Sequence, residues 1–441
     1  LAIPMILQNA ITNLVSFLDN IMVGQLGTEQ MSGVAIVNQL IFVYNLAIFG
    51  AVSAASIFGA QYFGKGNHKG HMYSFRFKLY ATLLVTGGAI LLFLTKGSAL
   101  ISLYLTDTVG NGATDLALQY GLEYLAIMMV GLIPFAVNQS YATNIKETGQ
   151  TFIPMLASFV AVGTNAILDY LMIFGIGPFP ELGVQGAALA TVIARYIEAL
   201  IVVIWAHIHR GKNRYLEGAY TGFGIPLAEL KAILIKGFPL MMNEVLWAAG
   251  MTTVTQCYSV RGLNVVAGLN IASTITNLFN IVYLQLGSCI SIVVGQYLGA
   301  GKLEDAKDAD NKMIVFSVFC CVIMAALMFV VGGFFPGIYN TTEEIRELAT
   351  SFIAVSAIIM PFCAFSHASY FTLRSGGKTV VTFLFDSVFT WVIVVPAAYL
   401  LAHFTGLGIV SIYFLVQGTE LIKVIIGYLM VKSNVWVVQM V

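Results

Sequence analysis

The chain has 441 residues, 59% of them hydrophobic and only 10% charged, with 21 Lys+Arg against 21 Asp+Glu. Soluble domains carry about 25% charged residues, so a string of soluble domains is excluded and a polytopic membrane protein is implied, in keeping with a mean hydropathy of +0.87. A formal net charge of zero gives no basis for a nucleic-acid partner.

Twelve apolar runs of spanning length follow one another, broken by clusters of glycine and charge. They cover 1–24, 31–62, 78–105, 116–143, 152–176, 184–208, 236–260, 265–298, 312–335, 348–373, 379–402 and 408–431. The expected fold is therefore all-α. The longest polar break, HIHRGKNRYLEGAYTGFGIPLAELK at 207–231, divides it into an N-terminal six-helix lobe (1–208), a cytoplasmic linker (209–235) and a C-terminal six-helix lobe (236–441). The sequence opens on LAIPMILQ without a methionine, so a short N-terminal piece is expected to be missing, and the first span to act as an uncleaved signal anchor.

The two lobes repeat one pattern. Pro4, QLG (25–27), GVAI (33–36) and QYFGKG (61–66) recur as Pro239, VRG (260–262), GLNI (268–271) and QYLGAG (296–301), each 235 positions later. After a register shift, Pro134 matches Pro361 and Gly149 matches Gly377. The chain thus reads as an internal duplication. An even number of spans in each copy gives parallel repeats related by an axis along the membrane normal.

Basic residues set the orientation. With the N-terminus inside, cytoplasmic segments hold 16 of the 21 Lys+Arg, Arg76 and Lys78 among them, while the opposite loops hold only Arg261 and Arg346. Both termini are expected in the cytoplasm of a multi-pass cell-membrane protein, the inner membrane in a Gram-negative cell.

Ionisable residues inside spans are functional candidates, because lipid excludes them unless they face a partner or a cavity. In the first half these are Asp19 and Asp169. Asn165 lies four residues before Asp169, one turn away on the same helix face. Two carboxylates and an amide could ligate Na⁺, or the carboxylates could share a proton; hydrogen bonding to a neighbouring Ser, Asn or Tyr is the structural alternative. At the 235 offset Asp19 corresponds to Val254, so the scaffold can be built without that carboxylate.

In the second half Glu244 stands near the start of helix 7, where it could serve function, snorkel, or pair with Lys236. Asp386 opens the eleventh span, as a buried acid of the C-terminal lobe or a carboxylate favoured by the helix dipole. Arg195 with Glu198, and Glu420 with Lys423, have the three-residue spacing of ion pairs on one helix face. His367 is a pH-sensitive group or a satisfied core histidine.

The five cysteines lie in apolar segments without paired spacing, which points away from disulfides and metal sites. The phosphate-binding pattern GxxxxGK[ST] is absent, so an ion gradient and no organic cofactor would drive any transport. With 30 Phe, 20 Tyr and 17 Met, a cavity could suit flat cationic ligands.

Pro4…Asp19…VGQLG, the paired QYFGKG and QYLGAG, NAILD (165–169) and GVQGAALATVIARYIEAL (183–200) together resemble the MATE multidrug and toxin extrusion transporters. The resemblance covers essentially the whole chain. It implies a V-shaped pair of lobes, a monomer in the bilayer, and rocker-switch export of organic cations or amphipathic compounds in exchange for Na⁺ or H⁺. On it, Asp19, Asn165 and Asp169 are the cation site, with Na⁺ as the possible metal. Glu244, Asp386 and His367 are candidates for substrate or a second ion. Helix 10 (348–373) departs from some branches of the family in having no carboxylate in its membrane part, offering Ser366 and His367 instead. The alternatives are a flippase of a lipid-linked or other metabolite and, from another class, a polytopic membrane enzyme or receptor.

Overall fold

A computed structural model describes residues 1–105, 111–222 and 224–441. Thirteen helices of ten residues or more follow in chain order: α1 Ala2–Gly24, α2 Thr28–Lys65, α3 His68–Ser102, α4 Asn111–Val130, α5 Leu132–Glu147, α6 Phe152–Ile173, α7 Val184–Ile208, α8 Leu227–Ser259, α9 Leu263–Gly299, α10 Leu303–Gly332, α11 Glu343–Ser375, α12 Thr379–Phe404 and α13 Ile409–Lys432. Among the described residues there is no strand. Ten of these helices are long and apolar enough to cross a membrane, or eleven with α4 and α5 taken as one span. With 23 residues, α1 also has spanning length.

The expected single span over 116–143 is broken: α4 and α5 meet at a 44° bend. Pro134 explains it. Its ring has no N–H to give and clashes with the carbonyl four residues earlier, at Val130, where α4 stops. At the linker, α8 starts at Leu227, inside the break expected over 209–235, and runs through Pro239.

The repeated glycines are helix stops. Gly66 and Gly301 have φ of +73° and +74°. In α2 the Asn67 and Gly66 amides donate to Tyr62 and Phe63; in α9 those of Lys302 and Gly301 donate to Tyr297 and Leu298. Each is the same two-bond C-terminal cap, which requires a left-handed residue. Gly149 and Gly377 close α5 and α11 in the same way, at φ +83° and +70°.

The chain divides into two compact units, Ile3–Gly59 with His68–Leu230, and Ala60–Asn67 with Lys231–Val441. The first is built on Val37, Ile41 and Ile48 of α2 against Leu125 and Met128 of α4 and Ala187 and Ala188 of α7. Its second cluster joins Phe75, Tyr141 and Val202 to Tyr215 of the linker. The second unit packs Ile290 and Val294 of α9 on Leu373 of α11, Val431 of α13 and the buried indole of Trp436. Within that unit the end of α2 crosses α9 at two glycines. A Cβ on Gly64 would collide with the Gln296 backbone, and one on Gly299 with the Gln61 backbone.

Two basic residues counted with the cytoplasmic segments are interior. Lys78 of α3 is fully buried, with Nζ 2.5 Å from Glu147 Oε1 and 2.6 Å from Asn144 Oδ1. His71 Nε2 lies 3.3 Å from Glu147 Oε2. The Arg76 guanidinium donates to the linker carbonyls of Gly218, Ala219, Thr221 and Gly224 at 2.6–3.2 Å.

Candidate functional site

In the first unit α1 and α6 bring the predicted cation-site residues together. On α6, Asn165 and Asp169 are stacked by the 3.6-residue helix period, and Asn165 Nδ2 donates to Asp169 Oδ2 at 2.9 Å. Asp169 is fully buried and Asn165 nearly so. Asp19, from α1, puts its carboxyl within hydrogen-bonding reach of that of Asp169. Two ionised carboxylates cannot occupy such a position uncompensated; a shared proton or a bound cation resolves the repulsion.

Two oxygens of this cluster lack donors. Asp19 Oδ1 and Asp169 Oδ1 are buried and accept no hydrogen bond. Buried oxygen acceptors without donors fit a hard monovalent cation or a proton, so the donor set suits either ion. Asn165 presents its amide nitrogen to Asp169, acting as a donor in this arrangement.

Sequence spacing gave no sign of the surroundings. Thr191 of α7 accepts from Asn165 at 3.5 Å. The Tyr124 hydroxyl, on α4, donates to Asn38 Oδ1 at 3.3 Å and lies within electrostatic range of Asp19, Asp169 and Arg195. These residues come from three further helices, so no local pattern could collect them.

The expected Arg195–Glu198 ion pair does not form. Arg195 Nη1 donates to the Gly131 carbonyl at 3.4 Å, and its guanidinium lies 5.1 Å from the Phe135 ring centroid. The Gly131 carbonyl stands at the bend between α4 and α5 and also accepts the Phe135 amide at 3.4 Å. Glu198 instead accepts the Ser158 hydroxyl, which itself accepts from Gln8 of α1 at 2.7 Å.

In the second unit the expected Glu420–Lys423 pair is also replaced. Lys423 Nζ reaches across to Asp386 Oδ1 at 2.6 Å. Asp386 does not open its helix: α12 begins at Thr379, seven residues earlier, and Asp386 sits in a π-helical turn, Leu384–Val388. Lys236 donates to the Gly377 carbonyl at 2.8 Å and does not pair with Glu244. His367 bonds the Cys363 carbonyl at 3.0 Å, and its ring centroid lies 4.6 Å from that of Tyr283 at a tilt of 50°. Val254, the counterpart of Asp19, is buried. All five cysteines are free thiols. Among the described residues no group of three His, Cys, Asp or Glu could hold a metal ion.

The MatE family model matches residues 4–171 and 239–400, once in each half. The chain is 23% identical over 413 residues to the probable multidrug resistance protein NorM of Thermotoga maritima, covering 93% of this chain and 86% of that one. It is 25% identical over 395 residues to the protein of the same name in Halalkalibacterium halodurans, covering 89% and 84%. Its fold matches that of an outward-facing multidrug resistance MATE family transporter of the MOP superfamily, with a TM-score of 0.88 at 20% identity over 98% of this chain and 94% of that one. Carrying the family pattern in both halves, the chain belongs to the MatE family and is a membrane transporter, not an enzyme.

Proposed function

We propose that this protein is a secondary antiporter that exports cationic or amphipathic small molecules in exchange for Na⁺ or H⁺ bound at Asp19 and Asp169. The observation that carries the reading is the meeting of these two carboxyl groups in an apolar unit, each with an Oδ1 that lacks a donor. The relatives named as multidrug resistance proteins support export of such compounds. One ion entering across 100 mV releases about 2.3 kcal/mol, enough to drive roughly a 50-fold outward gradient of a neutral substrate without ATP.

Each residue has a defined part. Asp19 and Asp169 hold the ion between their carboxyl groups, and Asn165 orients Asp169 through its amide. Ion release exposes the acids to one another, and rebinding from the other face restores the pair. Alternating access of the rocker-switch kind carries the exchange, with both termini in the cytoplasm and a single chain as the working unit. The test is drug transport in proteoliposomes with Na⁺ and pH gradients imposed separately. Asp19→Asn is expected to abolish gradient-driven transport, and transport that responds to neither gradient in the unaltered protein overturns the reading.

A further inference from the structure

The two halves differ in charge at one more place. Thr151 opens α6 and Thr379 opens α12, each two residues after a left-handed glycine, Gly149 or Gly377. In the first half the Thr151 hydroxyl donates to the Leu1 carbonyl, at the head of α1, at 3.2 Å. The residue 235 positions after Leu1 is Lys236, and Gln150, between glycine and threonine, is answered by Lys378. The scaffold thus stands without either lysine in its first copy.

Within the second unit α8 and α12 run side by side in one direction. Lys236 bonds Gly377, Asn243 bonds Asp386, and Trp391 bonds the Leu246 carbonyl. Lys236 and Lys378 therefore lie at one depth, within electrostatic range of each other. Lys236 uses one of its three N–H donors on the Gly377 carbonyl, at 2.8 Å. The Lys378 ammonium has no hydrogen bond, and neither lysine is in an ion pair, among the described residues. The flanking acids on α8, Glu229 and Glu244, are seven and eight residues away, and the first on α12, Asp386, is eight residues in. At 1.5 Å per residue that is roughly 10–12 Å along the axis. Two cations so placed repel, and an anion between them relieves it. The helix start adds donors. Lys378 gives α12 no side-chain cap, and the Thr379, Val380 and Val381 amides have no acceptor among the described residues. Thr379 is 1% exposed, and its hydroxyl has no partner. By the repeat it faces α8 at Lys236, as Thr151 faces Leu1.

Ammonium groups, the free amides of a helix N-terminus and an unpartnered hydroxyl are the donor set of a phosphate site. Apolar side chains continue outward from it: Phe238 and Met241 on α8, and Val380 and Leu384 on α12, are exposed. On helices of spanning length that surface meets acyl chains. We propose that Lys236, Lys378 and the start of α12 bind the phosphate of an anionic phospholipid, with its acyl chains along Phe238 and Leu384. The apolar surface beside the donors favours a lipid over free phosphate as the source of the anion. The site is separate from the carboxyl pair of the first unit and does not depend on which ion is exchanged there.

The test is native mass spectrometry of the full chain, purified in detergent and stripped of lipid, then titrated with phosphatidylglycerol, phosphatidylcholine or inorganic phosphate. Both lipids carry a phosphodiester, but the choline ammonium cancels its charge in the second. Phosphatidylglycerol is expected to bind at least about 10-fold more tightly than phosphatidylcholine. K236L/K378Q, which installs the residues of the first half, should erase that preference. Lys378→Gln alone removes an ammonium that bonds nothing, so it should fold even where the double variant does not, and weaken phosphatidylglycerol about 5-fold. Equal binding of the two lipids to the unaltered protein overturns the proposal, as does a preference undiminished in Lys378→Gln or surviving in K236L/K378Q. Inorganic phosphate that displaces phosphatidylglycerol at equal concentration shows a site for free phosphate and overturns the lipid assignment.

Discussion

Asp19 on α1 and Asp169 on α6 bring their carboxyl groups within hydrogen-bonding reach, and the same position in the second half is filled by the buried Val254. Asp19→Val should therefore insert, fold and keep its melting temperature in detergent. Its gradient-driven transport should fall by at least about 10-fold, the factor for each 1.4 kcal/mol of lost ion binding. A variant that aggregates on purification would show the aspartate to be structural.

Lys78 and Glu147 form a sealed ion pair. Removing Lys78 takes from Glu147 its nearest cation and leaves the carboxylate to His71; breaking buried pairs of this kind costs about 3–5 kcal/mol. Lys78→Met should lower thermal stability sharply, while Lys78→Met with Glu147→Gln should recover most of it. The recovery, measured by thermal unfolding of both variants, separates a stranded charge from a packing defect.

Arg76 holds the linker by four carbonyl oxygens. Each bond to a charged donor contributes about 1.5–3 kcal/mol, so Arg76→Ala should open the linker at least tenfold more often. Trypsin reports this directly, because Lys212 and Arg214 are exposed there. A cleavage rate unchanged by the substitution would show that the linker is held by its aromatic contacts alone.

Tyr215 is one of those contacts, with its ring 4.9 Å from His71 and 5.2 Å from Phe75. Burial raises its phenol well above the ordinary value of 10.0. The folded linker thus favours the neutral form. Its stabilisation is complete below about pH 10 and declines as pH rises from there toward the folded-state value. Faster tryptic cleavage of the linker above pH 10, absent in Tyr215→Phe, is the expected result.

Gly299 lies on the Gln61 backbone with no room for a side chain. Gly299→Leu should prevent recovery of monodisperse protein. Gly87→Ala is the contrast: a Cβ there meets nothing within 4 Å, and removal of glycine from a helix interior should stabilise by up to about 1 kcal/mol.

The helices were legible because a bilayer demands long apolar runs, and the duplication because its glycines cap helices in a way no other residue does cheaply. Pro134 was visible too, yet the span around it reads as one run, since hydropathy does not register a bend. Charge pairing was misread for one reason. Spacing of three finds partners along a helix, whereas Lys423 and Arg195 reach partners on other helices, and only packing reveals those. Asp19 and Asp169 stood out because each is costly in lipid. Thr191, Tyr124 and Asn38 did not, because such polar residues occur throughout the helices.

The crossing of α2 and α9 has one more property. Gly64 lies against Gln296, and Gly299 against Gln61, positions that exchange under the 235-residue offset. Such a patch is self-complementary: it is the isologous contact that two identical chains make across a two-fold axis, here enclosed in one polypeptide. Each glycine therefore serves a surface that its own counterpart also builds. The two copies of the motif can diverge elsewhere, as Asp19 and Val254 have, but at this crossing a change in one must be answered in the other.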